Sequence, residues 1–294
     1  MQILKANNLT KKYGLHFAVN EVSMTINEGD IYGFIGENGA GKTTFIRMIA
    51  GLIQKDGGEF TLFEGEKHRI GAVVETPSLY LYMNAMDNLM AQGKMVGMTD
   101  VEKHKELLRL VKLEYLIDSK KKAKDFSLGM RQRLGIAMAL LSNPKFLLLD
   151  EPMNGLDPEG VVLMRNLILS LRDKGITFLI SSHMLEELSK IATRYGFIHQ
   201  GRLIKEITLE ELELDTKASI KLKVSEKDLE KTLELLKKEK VTLKVEKDII
   251  NIYDRQIPEI VILLYNNKID IKDINRDALG IENYYLSLIG GFHG

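Results

Sequence analysis

The chain has 294 residues, 45% hydrophobic and 28% charged, a composition typical of a folded protein of one large domain or two. Its 41 basic residues balance 41 acidic residues, so no overall charge argues for nucleic acid or an anionic membrane surface as a partner. The absence of cysteine excludes disulfide bonds, thiolate metal sites and cysteine nucleophiles.

We predict neither a signal peptide nor a transmembrane segment. The first residues, MQILKANNLTKKYG, contain no apolar run of the signal-peptide kind. The longest aliphatic runs are far shorter than the ~20 residues that span a bilayer. A membrane role would therefore depend on a partner protein.

Two strands are predicted near the start, over residues 3–9 and 18–26, with Tyr13 in the connection between them. A tyrosine in a turn is most often a surface residue. An aromatic ring just ahead of a phosphate loop can also stack on a nucleotide base. Both interpretations of Tyr13 stay open from its position alone.

A glycine-rich segment, GENGAGKTT, fits the pattern G-x-x-x-x-G-K-[ST]. A strand-like run precedes it and a helical pattern follows, which is the context that the motif requires. Glycines allow backbone N–H groups to turn toward an anion, and the helix directs its positive end to the same place. Lys42 would add charge against the β- and γ-phosphates, and Thr43 a hydroxyl ligand for Mg²⁺. The predicted nucleotide-binding residues here are Gly36, Glu37, Asn38, Gly39, Ala40, Gly41, Lys42, Thr43 and Thr44.

Two further positions follow before the middle of the chain. Glu75 ends a predicted strand, where a carboxylate is as often merely solvated as functional. The segment 76–142 is mainly helical, and within it the run FSLGMRQR opens a helix that Ser127 is placed to cap. A helix that begins with Ser127 and Gly129 is a second candidate anion site, or an ordinary capped helix.

An aliphatic strand, residues 146–149, is followed by two adjacent carboxylates, Asp150 and Glu151. Ligands of open α/β sheets lie at this end of the strands. Because adjacent strand residues point to opposite faces, one carboxylate can hold Mg²⁺ through water and the other can accept a proton from attacking water. The next buried strand, residues 176–182, leads to His183, which is either structural or a γ-phosphate contact.

Residues 214–294 are predicted to form a second domain after a linker at 214–217. The pattern β-α-β-β-α-β, with a turn at 247–248, favours a small ferredoxin-like fold. It shows no catalytic constellation, so we interpret it as an accessory, dimerisation or regulatory domain.

Together these motifs resemble the ATP-binding subunit of an ATP-binding-cassette (ABC) transporter. The resemblance rests on Tyr13, GENGAGKT, Glu75, SLGMRQ, LLLDEP, NGLD and SSHM, in that order, and covers residues 1–213. It implies an α/β fold: a P-loop NTPase core with an antiparallel β-subdomain and an inserted helical subdomain at 76–142. It also implies two copies closed head-to-tail around two ATP molecules, and a separate transmembrane permease.

The resemblance further implies individual roles. Tyr13 would stack on adenine, Glu151 would be the general base, and His183 would contact the γ-phosphate. Ser127 and Gly129 would reach ATP held by the partner copy. The remaining implied roles are Mg²⁺ binding through Thr43 and Asp150, phosphate binding through Lys42, and a position at the dimer junction for Asp157.

Three departures from the common pattern narrow the resemblance. Glu75 stands where glutamine is usual, Leu128 and Met130 replace glycine and glutamine in the signature, and Met153-Asn154 precedes the NGLD glycine. These features are similar to the bacitracin-export and lantibiotic-immunity branch, which implies antimicrobial-peptide export from the cytoplasmic face of the membrane. Glu75 would then add a charge near the metal. The alternatives are another cargo (a drug, a lipid or sodium ion), a peptide-sensing module, or an ABC ATPase acting on DNA or the ribosome, which the balanced charge disfavours.

Overall fold

The computed structural model describes residues 1–66, 68–215, 219–246, 249–253, 255–277 and 281–290. The chain forms two compact units, Met1–Leu209 and Glu210–Gly294. The predicted boundary at 213 lies within a helix, Leu209–Asp215, that begins where the first unit ends. Residues 216 and 217 of the predicted linker, and the predicted turn at 247–248, lie outside the described residues.

The first unit contains a six-stranded sheet and a three-stranded antiparallel sheet. Its strands are β1 (Gln2–Tyr13), β2 (His16–Asn27), β3 (Ile31–Ile35), β4 (Gly57–Leu62), β5 (Ile70–Val73), β6 (Phe146–Asp150), β7 (Thr177–Ser182), β8 (Arg194–His199) and β9 (Arg202–Thr208). Its helices are α1 (Lys42–Ile49), α2 (Ala85–Val96), α3 (Val101–Leu110), α4 (Leu128–Leu140), α5 (Pro158–Asp173) and α6 (Leu185–Ser189).

The large sheet has the order β5-β6-β7-β3-β8-β9, and only the pair β8–β9 is antiparallel. Every residue of β3, β6 and β7 is buried, as expected for parallel strands covered on both faces. Their carboxyl ends therefore lie at one edge, where Ile35, Asp150 and Ser182 end the strands. This edge positions the candidate site.

The small sheet has the order β2-β1-β4 and packs its apolar face into the main hydrophobic core. Leu4, Leu9 and Ile26 of this sheet are almost fully buried with Phe34 and Phe45. The predicted antiparallel β-subdomain is thereby confirmed, and it shares its core with the helix after the glycine loop.

Helices α2, α3 and α4 occupy the segment predicted to be helical. Each begins with a polar cap: the side chains of Asn84, Asp100 and Ser127 accept hydrogen bonds from backbone N–H groups of the first turn. Ser127 accepts from the Met130 N–H at 3.2 Å, so its predicted capping role is confirmed.

The second unit starts at Glu210, the second residue of α7 (Leu209–Asp215). Its further elements are β10 (Ser219–Val224), α8 (Leu229–Lys238), β11 (Leu243–Glu246), β12 (Ile249–Ile252), α9 (Ile257–Asn266), β13 (Ile271–Asp277) and α10 (Ile281–Gly290). The antiparallel sheet order β11-β12-β10-β13 and the β-α-β-β-α-β sequence are those of a ferredoxin-like fold. It has its own apolar cluster, which includes Leu222, Leu236, Ile250 and Leu264. Within the described ranges, no helix combines the length and apolarity needed to cross a membrane.

Candidate nucleotide site

The glycine loop joins β3 to α1, as the motif requires. Gly41 caps α1 with φ 107°, a conformation that L side chains rarely adopt, and a Cβ there would lie 2.2 Å from the Ala18 carbonyl oxygen. A Cβ on Gly36 would lie 2.4 Å from the Ile198 carbonyl oxygen. The loop therefore depends on glycine at both ends. Between them Glu37, Asn38 and Gly39 are exposed and Ala40 is buried. Thr44, beyond Gly41, is half-buried on α1.

Lys42 is buried although it is cationic, with 5% of its surface exposed. Its Nζ donates to the carbonyl oxygens of Gly36 at 2.6 Å and Glu37 at 3.1 Å, and lies 3.4 Å from Glu151 Oε1. The cation is thus held inside the curve of the loop by atoms that it can exchange for phosphate oxygens.

Thr43 and Asp150 meet from two different elements. The Thr43 hydroxyl donates to Asp150 Oδ2 at 2.8 Å, and the Ser181 hydroxyl donates to Asp150 Oδ1. Asp150 is 2% exposed, so these two hydroxyls satisfy a carboxylate that would otherwise be costly to bury. The first turn of α1 is thereby joined to the ends of β6 and β7.

Glu151 directly follows β6 and has φ 50°, the left-handed conformation. Its N–H donates to the carbonyl oxygen and the hydroxyl of Ser181, at 3.1 and 3.0 Å. Its Oε2 lies 2.8 Å from His183 Nδ1, and its buried Oε1 has no hydrogen-bond partner. The carboxylate therefore lies between Lys42, which faces its buried Oε1, and His183, which contacts its Oε2.

Glu75 follows β5 and lines a cavity of about 420 Å³ together with Thr43, Asp150 and Glu151. Its Oε1 accepts from Arg47 Nη2 at 2.7 Å, and the two side chains are 56% and 36% exposed. The sequence-predicted carboxylates therefore border one cavity, and Glu75 is the one that solvent reaches most readily.

Three predicted residues lie on a different cleft of about 430 Å³: Ser127, Gly129 and Asp157. Asp157 caps α5 by accepting from the Gly160 N–H at 2.9 Å. Two capped helix starts therefore face one cleft, which Arg133 and Glu159 also line.

Tyr13 ends β1 and is 51% exposed, with Lys11 Nζ 5.6 Å from its ring centre. The structure therefore places it at the end of a strand, whereas the sequence placed it in the connection. An exposed ring face is what stacking on a base requires.

The oxygen-rich donor set around the cavity suits a hard cation. Thr43, Asp150 and Glu75 supply a hydroxyl and two carboxylates. No group of three or more His, Cys, Asp or Glu side chains suited to a metal occurs in the described part of the chain. The three carboxylates, including Glu151, outnumber the nearby cations of Lys42 and Arg47, so a triphosphate bound next to them would meet net negative charge unless a cation accompanied it.

Sequence reasoning missed three residues that the structure brings to the site. Ser181 binds Asp150, Arg47 binds Glu75, and Gln132, 5% exposed, lines the cavity. The pair of serines that ends the mainly apolar β7 was a signal for Ser181. Gln132 ends the SLGMRQ motif but was assigned no role, and nothing local pointed to Arg47.

Comparisons with known proteins agree with this geometry. The ABC transporter family model matches residues 19–154. The bacitracin transport ATP-binding protein BcrA of Bacillus licheniformis is 39% identical, over 98% of this chain and 98% of that protein. The lantibiotic transport ATP-binding protein SrtF of Streptococcus pyogenes is 42% identical, over 69% of this chain and 90% of that protein.

Solved structures show the same fold. The ADP conformation of an ATP-binding cassette of an ABC transporter matches with a TM-score of 0.64 and 29% identity, over 72% of this chain and 94% of that one. The predicted ABC ATPase fold is confirmed. The chain belongs to the ABC transporter family, as an ATP-binding, ATP-hydrolysing subunit that powers transport.

Proposed function

We propose that this subunit powers a separate membrane permease that expels an antimicrobial peptide such as bacitracin or a lantibiotic. The observation that carries the proposal is the relation to the bacitracin transport subunit, which extends over both units of the chain and not only over the cassette. The reaction is hydrolysis of ATP to ADP and phosphate.

In this proposal residues 36–44 hold the triphosphate and Tyr13 stacks on the adenine. Lys42 moves its ammonium from the loop carbonyls to the β- and γ-phosphates. Thr43, Asp150 and Glu75 would hold Mg²⁺, which offsets phosphate charge when bound.

Glu151 is the general base. Its Oε1 has no hydrogen-bond partner but lies 3.4 Å from Lys42 Nζ. Once Lys42 has moved to the phosphates, Oε1 accepts the proton of the attacking water, while His183 keeps the carboxylate in place through Oε2. His183, 38% exposed, can also donate a hydrogen bond to the γ-phosphate from its other ring nitrogen.

Ser127, Gly129 and Asp157 act on a second copy. Their cleft holds two helix starts, and in a head-to-tail dimer it would close over the γ-phosphate of ATP bound by the partner. We assign residues 1–213 as the nucleotide-binding domain, with 76–142 as its helical subdomain, and 214–294 as an accessory or dimerisation domain.

The permease is the second partner. Tyr80, Leu81 and Tyr82 follow Glu75 closely and are all exposed, an apolar segment suited to a protein surface. Contact there would bring the permease next to Glu75, which borders the cavity lined by Thr43, Asp150 and Glu151, the nucleotide cavity. The subunit would then act at the cytoplasmic face of the membrane, and nucleic acid is not a partner in this scheme.

The test uses a peptide-sensitive bacterial host that expresses this chain with its permease. Resistance to bacitracin or a lantibiotic is expected with the unchanged chain and not with Glu151→Gln. Resistance to neither peptide, with ATPase activity intact, would contradict the cargo and favour a drug, a lipid or sodium ion. Resistance retained by Glu151→Gln would favour a sensing role.

A further inference from the structure

Glu75 lies between two possible partners. On one side it borders the cavity that contains Thr43 and Asp150. On the other it pairs with Arg47, in the last turn of α1, at 2.7 Å. One residue therefore both borders the cavity and forms this ion pair.

The ion pair between Glu75 and Arg47 is weak enough for Glu75 to exchange Arg47 for another partner. Both side chains are partly exposed, and ion pairs in contact with water contribute little net stability. Glu75 also has φ 59°, an unfavourable conformation for a side chain of this kind. The carboxylate is held in a defined place by a weak contact on a strained backbone.

Arg47 lies on the helix that follows the phosphate loop, five residues after Lys42. A shift of the first turn of α1 on nucleotide binding would move the partner of Glu75 as well. A glutamine at position 75 carries no charge and could not form this ion pair, so the arrangement depends on the glutamate.

We propose that Arg47 is a positioning residue that keeps the Glu75 carboxylate at the rim of the nucleotide cavity until metal-bound ATP arrives. Without Arg47 the carboxylate turns into the cavity, where it repels metal-free ATP and favours the cation. The inference rests on the proposed nucleotide site.

The experiment measures ATP binding by calorimetry for Arg47→Gln, Glu75→Gln and the double variant. In EDTA, Arg47→Gln is expected to weaken ATP binding roughly fivefold, the effect of about 1 kcal/mol of repulsion between partly solvated charges. When Glu75 is already replaced by Gln, Arg47→Gln should weaken ATP binding in EDTA by less than about half of that free energy. Across a Mg²⁺ titration, Arg47→Gln lowers the Mg²⁺ requirement for ATP binding only when Glu75 is present.

These expected changes in ATP binding distinguish a positioning role of Arg47 from a direct effect of its charge on ATP. A fixed positive charge on Arg47 would contribute equally in both backgrounds, whereas a change in the place of Glu75 makes the two changes non-additive. Arg47→Lys, which keeps the charge, should restore wild-type binding in part. Lys94→Gln removes one charge from an exposed position of α2 and should alter neither quantity.

Equal weakening in both backgrounds, or no weakening, overturns the inference. Lys42→Ala is measured alongside: if wild-type protein binds ATP and Lys42→Ala does not, the nucleotide site stands even when the Arg47 inference fails. If wild-type protein binds no ATP, both fail. Should Arg47→Gln lower the urea midpoint of unfolding, the single and double variants are measured again with Arg47→Met in place of Arg47→Gln. Methionine keeps the packing of the aliphatic part of the arginine side chain.

Discussion

At the scale of single residues, Glu151 and its neighbour Asp150 differ in how many of their carboxylate oxygens accept hydrogen bonds. Asp150 accepts two hydroxyl hydrogen bonds, while Glu151 keeps one oxygen without a hydrogen-bond partner. A carboxylate fixed by two hydroxyls is suited to hold a ligand in place. A carboxylate with an oxygen that accepts no hydrogen bond, and that only a mobile lysine ammonium faces, is suited to accept a proton once that lysine binds phosphate.

We expect Glu151→Gln to hydrolyse ATP about 100 to 10,000 times more slowly while binding it with wild-type affinity, because the amide keeps the shape but cannot accept the proton. Phosphate release and ATP binding are measured on the same preparation. A variant that hydrolyses at near the wild-type rate would assign the base elsewhere.

Glu75→Gln is expected to raise the Mg²⁺ concentration needed for half-maximal hydrolysis and to tighten binding of metal-free ATP. The reason is that the variant removes one negative charge from the border of the cavity. A Mg²⁺ titration of hydrolysis is the measurement. An unchanged Mg²⁺ dependence would contradict a role for this carboxylate near the metal.

At the scale of secondary-structure elements, the site depends on how tightly the phosphate loop passes other backbone. Gly41 packs against the carbonyl of Ala18 in β2, so the loop and the small sheet fix each other. The beginning of α1 is consequently defined by backbone contacts as well as by its apolar face.

Gly41→Ala should lower the free energy of unfolding by more than about 1 kcal/mol and abolish ATP binding, because the new methyl group meets Ala18 backbone in a left-handed conformation. Gly51→Ala is the control: it has φ 72° but nothing within 4 Å of its Cβ. It should cost less, and ATP binding should persist. Equal losses in urea unfolding would show that the close approach does not matter.

Asp56 fixes the strand end that carries Tyr13. Its carboxylate accepts from the Lys12 N–H at 2.7 Å and from Lys11 Nζ at 3.2 Å. The backbone hydrogen bond first, and Lys11 next, hold the pKa of Asp56 below its ordinary value.

A lowered pKa in the folded state stabilises the protein above the unfolded pKa, near 4, and this contribution is lost as the pH falls through the folded value. Asp56→Asn should therefore be less stable than wild type at neutral pH, and the difference should shrink as the pH falls below about 4 and disappear below the folded pKa. The measurement is the urea midpoint of unfolding of both proteins at a series of pH values. A difference that persists unchanged in acid would assign the effect to something other than ionisation.

At the scale of the whole molecule, every candidate site residue lies in the first unit, and each unit has its own apolar cluster. A fragment of residues 1–208, which ends with β9, is expected to fold and to bind ATP within about threefold of the full chain, a difference of less than ~1 kcal/mol. Calorimetry on both proteins tests this. A fragment that folds but binds no ATP would assign part of the site to the second unit.

Much of the site could be predicted because its chemistry is local in sequence. The phosphate loop provides most of its ligands from consecutive residues, and a buried strand followed by Asp150-Glu151 indicates function by itself. The order of the sheet could not be predicted, since β3 pairs with β7 and β8 far along the chain. The contacts Arg47–Glu75 and Ser181–Asp150 depend on that order and have no local pattern.

The most direct test is a crystal structure of Glu151→Gln grown with ATP and Mg²⁺. We expect a triphosphate within residues 36–44, with Lys42 against its terminal phosphates, and a cation bound by the Thr43 hydroxyl. A glycine loop without nucleotide, or nucleotide bound at another place on the chain, would contradict it.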